Sequence, residues 1–106
     1  MSYVYMLKCL DDSLYTGICN DLEKRISLHR EGKGAKYTKS HGVKELCAVW
    51  MCEDYNDARK LEYAIKHRLS RKQKLMLIQE NLLLENFINM ELSVKFTRLN
   101  SIPDIV

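Results

Sequence analysis

Residues 2–29, SYVYMLKCLDDSLYTGICNDLEKRISLH, decide the fold because they contain two strand patterns, the turn between them and the start of a helix. Residues 2–10 and 14–19 are rich in aromatic and β-branched side chains, which favour strands. Residues 11–13, Asp-Asp-Ser, are typical of a turn, since short polar side chains bond the nearby backbone. The stretch therefore predicts a β-hairpin followed by a helix.

The register of this hairpin decides which side chains share a face. If Leu10 pairs with Leu14 across a three-residue loop, odd-numbered residues of one strand face odd-numbered residues of the other. One face would then carry Tyr3, Tyr5, Cys9, Tyr15 and Cys19. Gly17 lies on this face without a side chain, so we expect open space beside the tyrosines. A β-bulge would change the pairing.

The rest of the chain alternates helix and strand patterns. The predicted elements are a helix from Asn20 or Asp21 to about Glu31, a polar and basic loop over 36–42, a strand over 43–52, a helix over 57–69 capped by Asp54 or Asn56, and a helix from 71 capped by Ser70. The order β-β-α-β-α-α predicts a small α+β domain, a three-stranded antiparallel sheet flanked by helices. We expect this domain to span residues 1–79, with 80–106 as a helical or irregular extension packed on it or trailing from it.

The 106 residues carry a net charge of +3 that is unevenly distributed. Residues 1–79 hold 15 basic and 10 acidic side chains, a net of +5, and residues 80–106 hold 2 and 4, a net of −2. Two stretches, 24–44 and 59–74, each contain seven Lys or Arg and one acid. Such clusters suit a polyanion such as nucleic acid, and solvated helix faces are the alternative. A hydrophobic content of 46% excludes a disordered chain.

The four cysteines form no CxxC pair, and no histidine pair follows at zinc-finger spacing. We therefore interpret them as reduced core thiols of a cytoplasmic protein. The apolar run from Val4 to Leu10 is interrupted by Lys8 and soon reaches Asp11, so we expect neither a signal peptide nor a membrane span.

An ordered set of motifs resembles the GIY-YIG nuclease superfamily. Val4-Tyr5 stands at the Ile-Tyr of the first family motif, and Tyr15-Thr16-Gly17 stands at the second. In the helix that follows, Arg25 matches the family arginine and His29 the His or Tyr one turn later. Glu62 matches the glutamate that opens the later helix and binds metal.

This resemblance covers about residues 2–78, and the stretches 32–38 and 71–74 look like the small stand-alone bacterial branch. The chain departs from the family at three places. Tyr3 replaces the first glycine, Ile18 stands where many members have a cation, and no asparagine follows the Glu62 helix before Asn81.

The resemblance implies a metal-dependent endonuclease that hydrolyses DNA phosphodiester bonds, structure-selective or nonspecific, in DNA repair or processing. The residue types fit that chemistry. Glu62 can hold one Mg²⁺ or Mn²⁺ that keeps most of its waters, and Arg25 can bind phosphate oxygens. Tyr15 is the candidate general base with Tyr5 as its hydrogen-bonding neighbour, and His29 is a second candidate for proton transfer.

Five further residues are candidates for contact with nucleic acid: Lys33, Lys36, Tyr37, Arg71 and Lys72. A solvated loop is the alternative for the stretch that contains the first three. The tyrosines of the hairpin can instead be packing residues. Arg25 can pair with Asp21, and Glu62 with Lys66, at helical spacing.

Two functions other than DNA cleavage are compatible with the same sequence. A nucleic-acid-binding module with weak or no nuclease activity would account for the basic clusters and the missing asparagine. A protein partner, or self-association through residues 80–106, would account for the acidic and apolar tail.

Overall fold

The computed structural model describes residues 1–79 and 94–99. The elements in chain order are β1 (Ser2–Cys9), β2 (Leu14–Cys19), α1 (Leu22–Arg30), α2 (Lys36–His41), β3 (Val43–Cys52), α3 (Tyr55–Arg68), α4 (Arg71–Gln79) and β4 (Thr97–Arg98). The predicted α+β class is confirmed. The predicted extension over residues 80–106 lies outside the described residues, apart from 94–99.

One antiparallel sheet contains the described strands in the order β2-β1-β3-β4. It has four strands where the sequence predicts three, because β4 pairs Thr97 and Arg98 with Met51 and Trp50 of β3. Two residues are too few to show the alternation that marks a strand. The proposed division at residue 79 stays a prediction, and β4 brings two residues of the later segment into the sheet.

The predicted hairpin register is wrong by two residues. Lys8 pairs with Leu14 and Tyr5 pairs with Gly17. The loop is longer than expected because Asp12 adopts a left-handed φ of 66° and its N–H bonds the carbonyl of Cys9. A shift of two residues keeps every side chain on its predicted face, since strand side chains alternate with a period of two.

Short polar side chains begin the helices as the sequence predicts. The carboxylate of Asp21 accepts the N–H of Lys24 at the start of α1, and that of Asp54 accepts the N–H of Asn56 at the start of α3. At the start of α4, the Ser70 hydroxyl accepts the N–H of Gln73 while the Gln73 amide oxygen accepts the N–H of Ser70.

The prediction of a loop over residues 36–42 is wrong, because Lys36–His41 forms the short helix α2. Six mainly polar residues, KYTKSH, give no apolar period that would reveal a helix in the sequence. Gly42 ends α2 with a positive φ of 71°, and its N–H bonds the carbonyl of Thr38.

The sheet separates two apolar layers. On one face, Leu22 and Ile26 of α1 pack against Tyr5, Leu7 and Val49. On the other face α3 and α4 cover the sheet, and the buried set there comprises Val4, Met6, Ala48, Trp50, Cys52, Ala58, Leu61, Ala64, Ile65, Leu69 and Leu77. Trp50 is therefore a core residue. The Arg98 guanidinium lies 5.2 Å from the centre of the Trp50 ring.

All four cysteines are free thiols; Cys9, Cys19 and Cys52 are buried and Cys47 is half-buried. Burial raises the pKa of Cys19 to about 11 and that of Cys52 to about 11, so both are protonated at neutral pH. Over residues 1–79 and 94–99, none of the helices is long and apolar enough to cross a membrane.

Candidate functional site

Tyr5 lies at the centre of the candidate site, in the middle of the sheet. Strand β1 is hydrogen-bonded on both sides, and Tyr5 is fully buried between β2 and β3. Its phenol extends over Gly17, the residue opposite on β2. A Cβ at Gly17 would collide with the Tyr5 hydroxyl and lie 2.5 Å from Tyr5 Cζ. The space expected beside Gly17 is therefore filled by the Tyr5 ring, because the true register places the two residues directly opposite.

His29, near the end of α1, is the hydrogen-bonding partner of Tyr5. The Tyr5 hydroxyl lies 2.7 Å from His29 Nε2, and His29 Nδ1 lies 2.7 Å from the Thr38 hydroxyl. His29 and Thr38 are each 1% exposed. The expected hydrogen bond between Tyr5 and Tyr15 is not among the hydrogen bonds of the described residues; the two rings are tilted, with centroids 6.4 Å apart.

Tyr15 lies at the outer side of this pair and is half-buried. Its ring centre is 5.2 Å from that of His29 and 5.9 Å from that of Tyr37, which stacks on it. Tyr37 also stacks on His41 at 4.1 Å. The His41 imidazole in turn bonds the Asp11 carboxylate of the hairpin loop. An aromatic row thus connects the site to the β1–β2 loop.

Residues of α3 reach the same tyrosine although α3 packs on the opposite face of the sheet. Lys66 Nζ lies 5.9 Å from the centre of the Tyr15 ring, and the Glu62 carboxylate raises the pKa of Tyr15. Strand β2 is at the edge of the sheet, so its side chains contact both layers around that edge. The candidate site therefore lies at the β2 edge.

The environment shifts the pKa values of the three central groups in different directions. Burial, then Tyr15, raises the pKa of Tyr5, and the positive charge of Arg25 opposes this. Burial, then Glu62, raises the pKa of Tyr15, which Arg25 also opposes. Burial, then the charge of Arg25, lowers the pKa of His29. At rest, both tyrosines are protonated and His29 is neutral.

Glu62 offers a single carboxylate. Its side chain is 20% exposed and lies 3.7 Å from Lys66 Nζ, the ion pair that the helical spacing allowed. Across residues 1–79 and 94–99, no group of three His, Cys, Asp or Glu side chains is arranged to hold a metal. One carboxylate fits a Mg²⁺ ion that keeps most of its waters, and it does not fit a fully protein-ligated metal.

The five residues predicted to contact nucleic acid fall into two groups. Lys33, Lys36 and Tyr37 lie between α1 and the first turn of α2, on the side of the site where Tyr37 stacks on Tyr15. Arg71 and Lys72 open α4, and Arg71 Nη2 donates to the Asp12 carbonyl at 2.9 Å. Arg71 therefore also holds the β1–β2 loop.

The sequence alone did not single out Thr38 or Gly34. A Cβ at Gly34 would lie 2.5 Å from His29 Nδ1, so this glycine leaves space for the imidazole. Both residues belong to the stretch 32–38 that resembles the bacterial branch, which was the available signal. The contacts of Thr38 and Gly34 with His29 could not be predicted, because the sequence gives no sign of the helix α2 that places Thr38 beside His29.

A family model described as the GIY-YIG catalytic domain matches residues 1–75 of the chain. The chain belongs to the GIY-YIG family. The resemblance in the motifs is thereby confirmed, and membership implies a nuclease-type function with nucleic acid as its substrate.

Small bacterial relatives match most of the chain. A UPF0213 protein of Lactococcus lactis is 46% identical over 86 residues, covering 81% of this chain and 88% of the relative. A UPF0213 protein of Clostridium perfringens is 46% identical over 94 residues, covering 89% and 100%. The solution NMR structure of a UPF0213 protein from Bacillus halodurans is 40% identical, with a TM-score of 0.51 over 90% of this chain and 100% of that chain.

Proposed function

We propose that this GIY-YIG chain is an endonuclease that hydrolyses DNA phosphodiester bonds with one Mg²⁺ or Mn²⁺. We propose that it acts in DNA repair or processing. Because the sequence offers no base-reading element, we propose that it recognises DNA by structure or without selectivity. The observation that carries the proposal is the convergence at the β2 edge. There the half-buried Tyr15 meets His29 on one side and Lys66 and Glu62 on the other.

Tyr15 is the proposed general base, since among the three buried or half-buried site groups it is the most exposed. A phenol whose pKa is raised by burial and by Glu62 is a weak base at rest. Glu62 is the proposed ligand of the cation. The bound cation would supply positive charge that neutralises phosphate oxygens and favours the Tyr15 phenolate. The charge of Arg25 favours the same phenolate.

Arg25 is the proposed phosphate ligand. It lies on α1 one turn before His29, it is half-buried, and its charge acts on Tyr5, Tyr15 and His29 together. A guanidinium can bind two phosphate oxygens in a fork and stabilise charge that develops in the transition state. Tyr5 and His29 are both buried behind Tyr15, and their rings pack against its ring.

Cleavage assays test this proposal directly. The protein is incubated with single-stranded, nicked, flap and plasmid DNA, with Mg²⁺, with Mn²⁺ and with EDTA. We expect cleavage only with metal, and a loss on the order of 100-fold in Glu62→Gln, since a metal contributes several kcal/mol of charge stabilisation. Glu45→Gln, at an exposed carboxylate on β3, is the matched control and should cleave like wild type. Equal cleavage by Glu62→Gln and wild type would show that the assigned site is wrong.

Binding of nucleic acid without cleavage is the second candidate function. The ion pair between Glu62 and Lys66 favours it, because a carboxylate already paired at 3.7 Å has less charge to offer a cation. This function predicts DNA binding that persists in EDTA and weakens with salt, with no cleavage under any metal. The Lys66→Ala variant separates the two, because freeing Glu62 should strengthen a metal-dependent activity and leave simple binding slightly weaker.

A further inference from the structure

A buried chain of hydrogen bonds runs from the sheet to the turn before α2. The Tyr5 hydroxyl lies 2.7 Å from His29 Nε2, His29 Nδ1 lies 2.7 Å from Thr38 Oγ1, and the Thr38 hydroxyl donates to the Ala35 carbonyl at 3.2 Å. Tyr5 is 0% exposed, and His29 and Thr38 are each 1% exposed. Water does not compete for these contacts, so each group must find its hydrogen-bond partner within the protein.

Which group donates in each of these hydrogen bonds follows from the last bond, between Thr38 and Ala35. A backbone carbonyl only accepts hydrogen bonds, so the single hydroxyl proton of Thr38 is used on Ala35. Thr38 Oγ1 can then only accept from His29, which requires a proton on Nδ1. Burial keeps His29 neutral, so Nε2 carries a lone pair and accepts the proton of the Tyr5 hydroxyl.

We propose that Thr38 is a positioning residue that fixes His29 in the Nδ1–H tautomer and thereby orients the Tyr5 hydroxyl in the site. The effect on cleavage rests on the proposed function, whereas the tautomer itself does not. Thr38 acts through His29 and does not meet the reacting atoms.

The other end of the hydrogen-bonded series shows why the direction matters. In the Nδ1–H tautomer the Tyr5 hydroxyl donates to His29 Nε2, so the lone pairs of the Tyr5 oxygen can accept from another donor. An arginine side chain only donates hydrogen bonds, and the positive charge of Arg25 acts on Tyr5. In the opposite tautomer, His29 Nε2–H would donate to Tyr5, and the phenolic proton would need a different acceptor. The Nδ1–H tautomer therefore leaves the Tyr5 oxygen as an acceptor for a cationic donor such as Arg25.

Gly34 supports the same arrangement independently of hydrogen bonding. The imidazole lies against the backbone of Gly34, where a Cβ would be 2.5 Å from Nδ1, 2.6 Å from Cγ and 2.9 Å from Cα of His29. The turn before α2 thus constrains the ring by contact and the tautomer by the Thr38 hydroxyl. Residues 34–38 form a clamp on His29.

The tautomer can be measured without substrate or metal. The chain has three histidines, so a long-range ¹H–¹⁵N spectrum of the imidazoles is assigned with one variant, His29→Gln. We expect wild-type His29 in the Nδ1–H form, Thr38→Ser to keep it, and Thr38→Val to show the Nε2–H form or a mixture. A wild-type His29 in the Nε2–H form overturns the proposal, even where Thr38→Val fails to fold.

Cleavage rates give the second measurement. We expect a loss of about 10-fold to 100-fold in Thr38→Val, on the scale that outer hydrogen-bonding partners of functional histidines contribute. Thr38→Ser should stay within about 3-fold of wild type, because it keeps the hydroxyl. Folded Thr38→Val with an unchanged tautomer and unchanged cleavage would overturn the proposal. Absence of cleavage in wild type with the expected tautomer would refute the endonuclease and leave the clamp standing.

Discussion

Gly17 and Gly34 matter at the residue scale because each faces a side chain of the candidate site. Gly17 is covered by the phenol of Tyr5, and Gly34 by the imidazole of His29. Neither has a positive φ, so contact with the neighbouring ring, and not backbone strain, is what requires a glycine. The two rings that these glycines accommodate are the ones joined by the buried hydrogen bond.

Replacing Gly17 by alanine should displace Tyr5. The added Cβ would lie 2.5 Å from Tyr5 Cζ and 3.0 Å from Tyr15 Cε2. We expect the free energy of unfolding to fall by about 1–3 kcal/mol, the usual cost of overpacking, together with loss of cleavage. Urea denaturation and the cleavage assay measure both.

Gly32→Ala is the comparison for this substitution. Gly32 has a φ of +77°, and an added Cβ would meet nothing closer than 3.9 Å, so the cost is backbone strain away from the tyrosines. We expect it to lose stability and keep its cleavage rate. If Gly17→Ala also kept its rate, the position of the Tyr5 ring would not matter for the reaction.

The buried neutral His29 should make stability depend on pH. Burial, then Arg25, lowers its pKa below the value of about 6.5 expected in the unfolded chain. The unfolded state therefore binds more protons below that pH, and the free energy of unfolding should decrease as pH falls from 7 to 5. Urea denaturation at several pH values should give a shallower dependence in His29→Gln, and an equal slope in both proteins would contradict the assignment.

At the scale of elements, the β1–β2 loop acts as a connector. Asp11 bonds His41 at the end of α2, the Asp12 carboxylate lies 3.3 Å from Lys44 Nζ at the start of β3, and the Asp12 carbonyl accepts from Arg71 at the start of α4. Three elements that are separate in the sequence thus meet at one turn. The loop therefore contacts α2 at His41, whereas His29 contacts it at Thr38.

Substitutions of Arg71 and Lys72 should change the stability of the protein by different amounts and its DNA binding by similar amounts. Arg71 Nη2 donates to the Asp12 carbonyl at 2.9 Å, and Lys72 is exposed. We expect Arg71→Gln to lower the free energy of unfolding by about 1 kcal/mol, and Lys72→Gln to change it by less than about 0.5 kcal/mol. Both should weaken DNA binding by a similar factor in a fluorescence-anisotropy titration. Equal stabilities would show that the Arg71 contact contributes little.

Elements with a clear apolar pattern were predictable, and contacts between elements were not. The sequence predicts β3, the helix α3 and the caps of α1 and α4, because periodicity and capping are local. Helix α2 and strand β4 are too short to show a period. The face of the hairpin on which each side chain lies was predictable, but the pairing of Tyr5 with Gly17 depended on the backbone of Asp12.

The candidate site was predictable as a set of residue types and not as a geometry. The family motifs name Tyr5, Tyr15, Arg25, His29 and Glu62 as candidates, and their catalytic roles stay predictions. That Tyr5 bonds His29 and not Tyr15 follows from the position of α1 against the sheet. Thr38 could not be assigned from sequence because its role depends on a tautomer.

At the scale of the molecule, a basic domain carries the site at one edge of its sheet. Residues 1–79 carry a net charge of +5, and Lys36 directly precedes Tyr37, which stacks on Tyr15. The β2 edge therefore offers a strand of nucleic acid both positive charge and aromatic surface.

The contribution of these lysines to binding should appear in its salt dependence. Each phosphate contact adds about 0.7–0.9 to the slope of log K against log salt. We expect the double variant Lys33→Gln, Lys36→Gln to reduce that slope by about 1.4–1.8. Lys44→Gln is the control, because Lys44 is exposed and pairs with Asp12 at 3.3 Å. An unchanged slope in the double variant would place the nucleic acid elsewhere.

Trp50 gives the molecule an internal fluorophore on the face of the sheet opposite Tyr5. It is the single tryptophan, it is 1% exposed, and it belongs to the layer under α3 and α4, whereas Tyr5 belongs to the layer under α1. Excitation at the red edge of indole absorption avoids the six tyrosines. Emission of Trp50 should therefore follow denaturation and remain constant during a DNA titration, so one sample can report folding while ligand is added.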